Sequence, residues 1–163
     1  MEGFVLNHPI EAVYDESTNR IIGRLTKDTD LFEGILAVCK QHHVEAAQFQ
    51  CIGSLAYATI VQPQQNPDKS LQYSERLVTD TPVELLSGSG FVGYDEQGQL
   101  DIHFHGLYVD CNKQMNGGHF LRGENPVAIT VEFIIFPVST THVHRKPDEY
   151  SGIPLFHFTK RSE

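Results

Sequence analysis

Apolar and polar residues alternate along most of this chain, which is the pattern of β-strands that bury one face. The alternation predicts an N-terminal strand within residues 1–19, which turns at the polar cluster 15–19 and returns as a second strand over residues 20–25. The same pattern and one nearly continuous apolar run predict further strands over residues 46–52, 55–62, 71–79, 83–94, 100–109, 126–136, 140–144 and 154–158. The apolar run, over residues 126–136, is expected to be central in the sheet.

Glycine, proline and acidic residues mark the breaks between these strands. Gly53-Ser54 separates two of them, and residues 63–69 form a polar loop. The run Ser87-Gly88-Ser89-Gly90 falls inside a predicted strand, so we expect a bulge or a close approach of another backbone there. Residues 95–98 are typical of a hairpin turn.

One stretch has helical spacing instead. Apolar residues recur there at intervals of three and four, at Leu31, Phe32, Ile35, Leu36 and Cys39. Asp30 is suited to cap the helix, and Glu33 stands where a capping box needs it. The helix is predicted to end at His42 or His43. One helix among many strands, with no repeat or linker, predicts a single α+β domain with a mixed, largely antiparallel sheet and few helices.

Composition narrows the classes of partner. Of the 163 residues, 12 are Lys or Arg and 21 are Asp or Glu, so the formal charge is −9, which counts against direct binding of nucleic acid without a basic partner. Three widely spaced cysteines are typical of a reducing compartment rather than a disulfide framework. No apolar run is long enough to span a membrane, and the first residues lack the basic region of a secretory signal, so a cytoplasmic location is expected.

The strongest chemical signal is a group of three histidines. His103 and His105 are two apart on a predicted strand, so both side chains point to the same face. Gly117-Gly118 is expected to turn the chain and bring His119 back towards them. Three neutral imidazoles with one open position are typical of catalytic zinc sites, although nickel, iron or copper would also bind. The alternative is three half-exposed histidines on a sheet.

Several nearby residues are candidates to assist such a metal. Asp101 shares the strand face of the histidines, so it is a candidate base or a residue that orients a ligand. Glu84 and Glu132 are candidate acids or bases on other strands. Glu132 lies within the apolar run, so we expect it to be buried and paired with Arg122, Arg24 or a metal-bound histidine. The alternative for Asp101 and Glu84 is a plain surface acid.

Three further residues are candidate contacts for an anion or small ligand. Gly117 and Gly118 would present backbone amides, and Arg122 would bind a carboxylate or phosphate. A surface arginine is an equally good interpretation of Arg122. Cys111 is a candidate fourth metal ligand, which would make the site structural, or simply a buried thiol.

An ordered set of landmarks carries a family resemblance. The set consists of Gly23-Arg-Leu25, Cys51-Ile-Gly-Ser-Leu55, Pro82-Val-Glu-Leu-Leu-Ser-Gly-Ser-Gly90, His103-x-His105, Gly117-Gly-His119, Gly123 and Val131-Glu-Phe-Ile134. In this order the landmarks resemble the plants-and-prokaryotes-conserved (PPC) domain family. The resemblance divides the chain into an N-terminal extension (residues 1–19), a PPC-like domain (20–158) and a C-terminal tail (159–163).

The resemblance implies an α+β fold, a homotrimer, and a metal at the positions of His103, His105 and His119. Prokaryotic members of the family are often described as candidate DNA-binding proteins. In plant members a basic AT-hook carries the DNA contact, and this sequence has no Arg-Gly-Arg-Pro segment. Three functions stay open: a trimeric domain that binds a small ligand or regulates, a metal-dependent hydrolase or lyase acting on a small acidic or carbonyl substrate, and a DNA-associated protein.

Overall fold

The protein is represented by a computed structural model that describes residues 10–161. Residues 1–9 of the predicted extension and residues 162–163 of the predicted tail lie outside the described residues. One helix, α1, spans Leu31–Gln41. The strands are β1 Glu11–Asp15, β2 Arg20–Thr26, β3 Ala47–Leu55, β4 Thr59–Val61, β5 Pro63–Gln65, β6 Leu71–Tyr73, β7 Leu77–Val78, β8 Val83–Tyr94, β9 Leu100–Asp110, β10 Met115–Phe120, β11 Val127–Pro137, β12 Thr141–Pro147 and β13 Pro154–Lys160.

Eleven of these strands form one sheet. Its order is β1-β2-β11-β3-β8-β9-β10-β4-β7, and neighbouring strands along this path are antiparallel. The β12–β13 hairpin joins β8 through one parallel pairing, of His144 with Tyr94. Strands β5 and β6 form a separate two-stranded ribbon. The predicted α+β class, single domain and largely antiparallel sheet are confirmed.

Helix α1 covers one face of the sheet, which we call the inner face. Asp30 caps the helix as predicted, since its carboxylate accepts hydrogen bonds from the backbone N–H groups of Phe32 and Glu33. Glu33 does not complete a capping box, because its carboxylate accepts a hydrogen bond from Arg122 at 2.6 Å. Within residues 10–161, α1 is the only helix, and it is too short to cross a membrane.

The core lies between α1 and the inner face. Phe104 of β9 is fully buried there, and its ring packs against those of Phe32, Phe49 and Phe120. Alternation along β9 then places the intervening side chains, His103 and His105 among them, on the opposite face, which we call the outer face. The histidine strand is therefore fixed by aromatic packing on the side away from its imidazoles.

Two predicted loops are strands. The break expected at Gly53-Ser54 is wrong, because β3 runs through it with a shift of register on both neighbouring strands. Gly53 has a φ of 147°, and a Cβ there would collide with the carbonyl oxygen of Thr130. Part of the loop predicted over residues 63–69 belongs to the β5–β6 ribbon. The close backbone approach expected within Ser87-Gly88-Ser89-Gly90 is confirmed at Gly90, where an added Cβ would lie 2.6 Å from the carbonyl oxygen of His103. At Gly88 an added Cβ would overlap the ring of Phe104.

Candidate metal centre

Three imidazoles converge on the outer face. His103 and His105 come from β9, and His119 of β10 is the direct cross-strand partner of His105. The Nε2 atoms of His103 and His105 are 3.1 Å apart, and Nδ1 of His119 is 3.4 Å from Nε2 of His105. All three donor atoms lie within 4.8 Å of one another. The predicted convergence of the three rings is therefore present.

Two of the three donor separations match those of a tetrahedral zinc ion. Zinc–nitrogen bonds of about 2.0–2.1 Å separate two ligand atoms by about 3.3 Å, and the two distances from Nε2 of His105, 3.1 and 3.4 Å, bracket that value. Among the described residues, no cysteine or carboxylate joins the group. The three nitrogens could thus hold one metal ion and leave a coordination position for another ligand.

Partial burial keeps two of the rings neutral. The pKa of His119 is lowered from 6.5 to about 4, first by burial and then by the neighbouring His103 and His105. Burial, followed by His105 and Arg145, also lowers the pKa of His103. Because a metal binds the unprotonated ring, protons do not compete for His119 at neutral pH. His105 is the exposed member of the group.

The double glycine does not turn the chain as predicted. Gly117 and Gly118 lie inside β10, and the turn comes earlier, where the Asp110 carboxylate accepts hydrogen bonds from the N–H groups of Asn112 and Gln114. A Cβ at Gly117 would meet the carbonyl oxygen of Gly106, and one at Gly118 would lie 2.8 Å from that of Val61. The two glycines therefore let β10 fit between β9 and β4.

Asp101 lies beside the histidines but is already paired. Its carboxylate accepts a hydrogen bond from Nε of Arg145 at 2.7 Å, and Nη1 of Arg122 is 3.6 Å away. Arg145 also donates to the carbonyl oxygens of Ile102 and Pro154. Asp101 thus fixes the start of β9 near His103 rather than standing free as a base. Arg122 is itself held by Asp101 and Glu33.

Glu84 and Glu132 lie elsewhere on the outer face. Glu84 pairs with Val109, four residues along β9 from His105, a separation of roughly 13 Å. Glu132 is three strands from β9, or roughly 14 Å. The expectation that Glu132 is buried is wrong, since its side chain is exposed. Its cross-strand partner is Arg24, one of the partners predicted for it.

None of the cysteines reaches the metal centre. Cys111 is exposed, lies outside the histidine group, and its thiol contacts the carbonyl oxygen of Pro82 at 3.5 Å. Cys39 and Cys51 are buried in the core, and burial raises the pKa of each thiol to about 12. A closed structural site that includes Cys111 is therefore not formed within this chain.

Sequence reasoning missed the residues that surround the centre. The ring of Tyr73, at the end of β6, lies 5.3 Å from that of His119 between centroids. The ring of Phe156, in β13, lies 6.5 Å from that of His103 between centroids. The Cζ atom of Arg145 lies over the face of the Phe156 ring, 4.3 Å from its centroid. No local pattern marks these contacts, because they join segments far apart in the sequence.

The fold resembles several solved structures. A metal-containing protein from Archaeoglobus fulgidus aligns with a TM-score of 0.72 and 23% identity over 92% of this chain and 99% of its own. A plant- and prokaryote-conserved (PPC) protein from Pyrococcus horikoshii aligns with a TM-score of 0.69 and 22% identity, over 96% of this chain and 100% of its own. A candidate DNA-binding protein from Bacteroides thetaiotaomicron aligns with a TM-score of 0.71 and 18% identity, over 90% of this chain and 97% of its own. At these identities the likeness shows the fold alone.

The sequence itself identifies the family. No functionally curated protein matches the chain. The profile of the Plants and Prokaryotes Conserved (PCC) domain matches residues 12–139, which include all three histidines and exclude the β12–β13 hairpin. Because this match covers most of the sequence, the chain belongs to the Plants and Prokaryotes Conserved domain family.

Proposed function

We propose that this protein is a homotrimeric, cytoplasmic PCC-domain protein whose three-histidine centre holds a divalent transition metal, zinc by preference, and binds a small ligand there. The observation that carries the proposal is the convergence of three imidazole nitrogens within 4.8 Å. A second support is the lowered pKa of His119, which keeps a ligand nitrogen unprotonated at neutral pH. A metal-containing protein among the structural neighbours is consistent with this proposal.

The number of donors favours ligand binding over a structural role. Structural zinc sites take four protein ligands, whereas sites that exchange ligands take three and leave one position open. The described part of the chain supplies three donors and no fourth. A cavity of about 540 Å³ is lined in part by His105, so a ligand has space beside this member of the centre.

Elemental analysis of the purified protein tests the metal proposal. We expect one metal ion per chain in the wild type and none after His103→Ala and His105→Ala are combined, because one imidazole alone binds a metal weakly. His142→Ala removes an exposed histidine of β12 and serves as the control, which must retain metal. Full metal content in the double variant would refute the site.

The outer face supports the proposed trimer. Ile52, Leu86 and Ile129 are 55%, 48% and 71% exposed, and they line one groove of that face. Exposed apolar clusters of this kind mark interaction surfaces. Replacement of Ile52 by Glu would place a charge in such an interface, so we expect monomers in light scattering coupled to size exclusion. Tyr150→Glu, at a fully exposed loop residue, must leave the mass unchanged. A monomeric wild type would contradict the proposal.

A metal-dependent hydrolase or lyase is the second candidate, favoured by the same open position. When bound, zinc would supply a water whose pKa is lowered to about 7. The chain's own residues hold the three imidazoles, while Asp101 is engaged by arginines and Glu84 lies on a distant part of the face. Zinc-dependent cleavage of 4-nitrophenyl acetate that disappears in His119→Ala would support this candidate. Equal rates with and without zinc would reject it for this substrate.

Association with DNA is the third candidate and requires a partner. Three copies would carry a formal charge of −27, three times −9, whereas DNA affinity comes largely from neutralised phosphates. We expect no shift of a DNA fragment by the purified protein in a gel-retardation assay at near-physiological salt. Binding at about micromolar concentration would overturn the charge argument.

A further inference from the structure

Two cavities meet beside the metal centre. The first, of about 540 Å³, lies next to His105, and the second, of about 740 Å³, lies beneath the β5–β6 ribbon. Both are lined by Gln62 and Asn116, so the two cavities are neighbours on either side of these residues. Each volume is within the roughly 300–1,000 Å³ of small-molecule sites. The space near the metal centre therefore extends well beyond what a single water or small ion would fill.

Uncharged groups dominate the lining of the larger cavity. Gln64 and Gln72 are direct partners across the β5–β6 ribbon, and both line it. The amide of Gln62 is fixed at the base of the ribbon, because its Nε2 donates to the carbonyl oxygen of Gly117 at 2.7 Å. Ser87 and Ser89 add hydroxyls beside His105. Each of these amides and hydroxyls can both donate and accept hydrogen bonds.

The charged residues at this cavity do not favour an anion. Arg76 lines it but is paired with Glu124. Glu75 also lines it and would repel a negatively charged ligand while accepting hydrogen bonds from hydroxyl groups. A ligand with several hydroxyls matches this lining, because a hydroxyl, like a side-chain amide, offers both a donor and acceptors. A carboxylate or phosphate would find no free cation among these residues.

Tyr73 adds an apolar surface at the junction with the metal centre. One side of its ring faces His119, at 5.3 Å between centroids, and the residue is 48% exposed. An aromatic face beside hydrogen-bonding amides suits a molecule with C–H faces and hydroxyl edges. We propose that the cavity beneath the β5–β6 ribbon binds a neutral, polyhydroxylated small molecule of the sugar or polyol class. A contact between this ligand and the metal would rest on the proposed function. Binding to the amide-lined part of the cavity does not require the metal.

Ligand binding can be measured with D-glucose, D-ribose and myo-inositol as neutral probes and with D-glucuronate and D-glucosamine as charged probes. Saturation-transfer NMR detects binding, and calorimetry gives the affinity. We expect at least one neutral probe to bind with a dissociation constant of about 1 mM, and tighter than either charged probe. Tighter binding of a charged probe, or no binding of any neutral one, would overturn the proposal.

Substitutions locate the site. Combined Gln64→Leu and Gln72→Leu should weaken binding of the neutral probe by about tenfold or more, since two hydrogen-bonding side chains are lost. Gln97→Leu, at an exposed glutamine of the β8–β9 turn, must not change the affinity. Unchanged affinity in the double variant would place the ligand elsewhere and overturn the proposal. Binding that persists in the metal-free His103→Ala, His105→Ala protein supports the cavity even if the metal proposal fails.

Discussion

The neutral state of His119 makes the stability of the metal-free protein depend on pH. Burial, followed by the charges of the neighbouring His103 and His105, lowers the pKa of His119 from 6.5 to about 4 in the folded chain. Between these two values the unfolded chain binds a proton that the folded chain does not. The contribution of this ring to stability is therefore complete above pH 6.5 and is lost as the pH falls towards 4.

The size of this loss follows from the two pKa values. A difference between about 4 and 6.5 corresponds to at most about 3 kcal/mol in the free energy of unfolding. Since the ring keeps part of its surface in solvent, we expect about 1–2 kcal/mol. Replacement of His119 by Gln, which does not titrate, should remove this amount from the stability lost between pH 7.5 and pH 4.5.

Urea unfolding at the two pH values, with a chelator present, measures the effect. The pH-dependent loss should be smaller in His119→Gln than in the wild type by about 1–2 kcal/mol. Gln62→Ala removes an uncharged side chain that donates a hydrogen bond to Gly117, on the strand of His119, and must keep the wild-type pH dependence. An equal loss in the wild type and His119→Gln would show that the ring is protonated in the folded chain and that burial does not keep it neutral.

Two further substitutions test the support of the centre. Asp101→Asn should weaken zinc binding by about tenfold, because it loosens the arginine contacts that fix the start of β9. Glu84→Gln is the control and should not change the affinity for zinc. Calorimetry with zinc measures both variants, and equal affinities would contradict the proposed role of Asp101. Gly88→Ala should lower the free energy of unfolding by about 2 kcal/mol, because the new Cβ overlaps the ring of Phe104. Urea unfolding measures this loss, and wild-type stability would contradict the close packing of Phe104 on Gly88.

Local patterns sufficed for the elements that depend on local chemistry. The Asp30 cap and the helix that begins at Leu31 follow from side chains that act within one turn. The common face of His103 and His105 follows from strand alternation alone. The position of His119 beside His105 was predicted, but for the wrong reason, since strand packing at Gly117 and not a turn places it there.

What depends on tertiary packing could not be predicted. Glu132 lies in an apolar run that indicated burial on both faces, yet α1 covers only the inner face and the glutamate faces outwards in a single chain. The approach of Tyr73 to His119 depends on where the β5–β6 ribbon folds over β10. The contact of Arg145 with Asp101 joins the C-terminal hairpin to β9 across 44 residues. Sequence periodicity carries no information on such distant pairs.

X-ray absorption spectroscopy of the zinc-loaded protein shows whether His103, His105 and His119 hold the metal together. We expect three imidazole nitrogens at about 2.0–2.1 Å and one exchangeable oxygen ligand. The imidazole signal should disappear when His103 and His105 are both replaced by Ala. A sulfur ligand at about 2.3 Å, fewer than three imidazoles, or no bound zinc in the wild type would contradict a three-histidine metal centre.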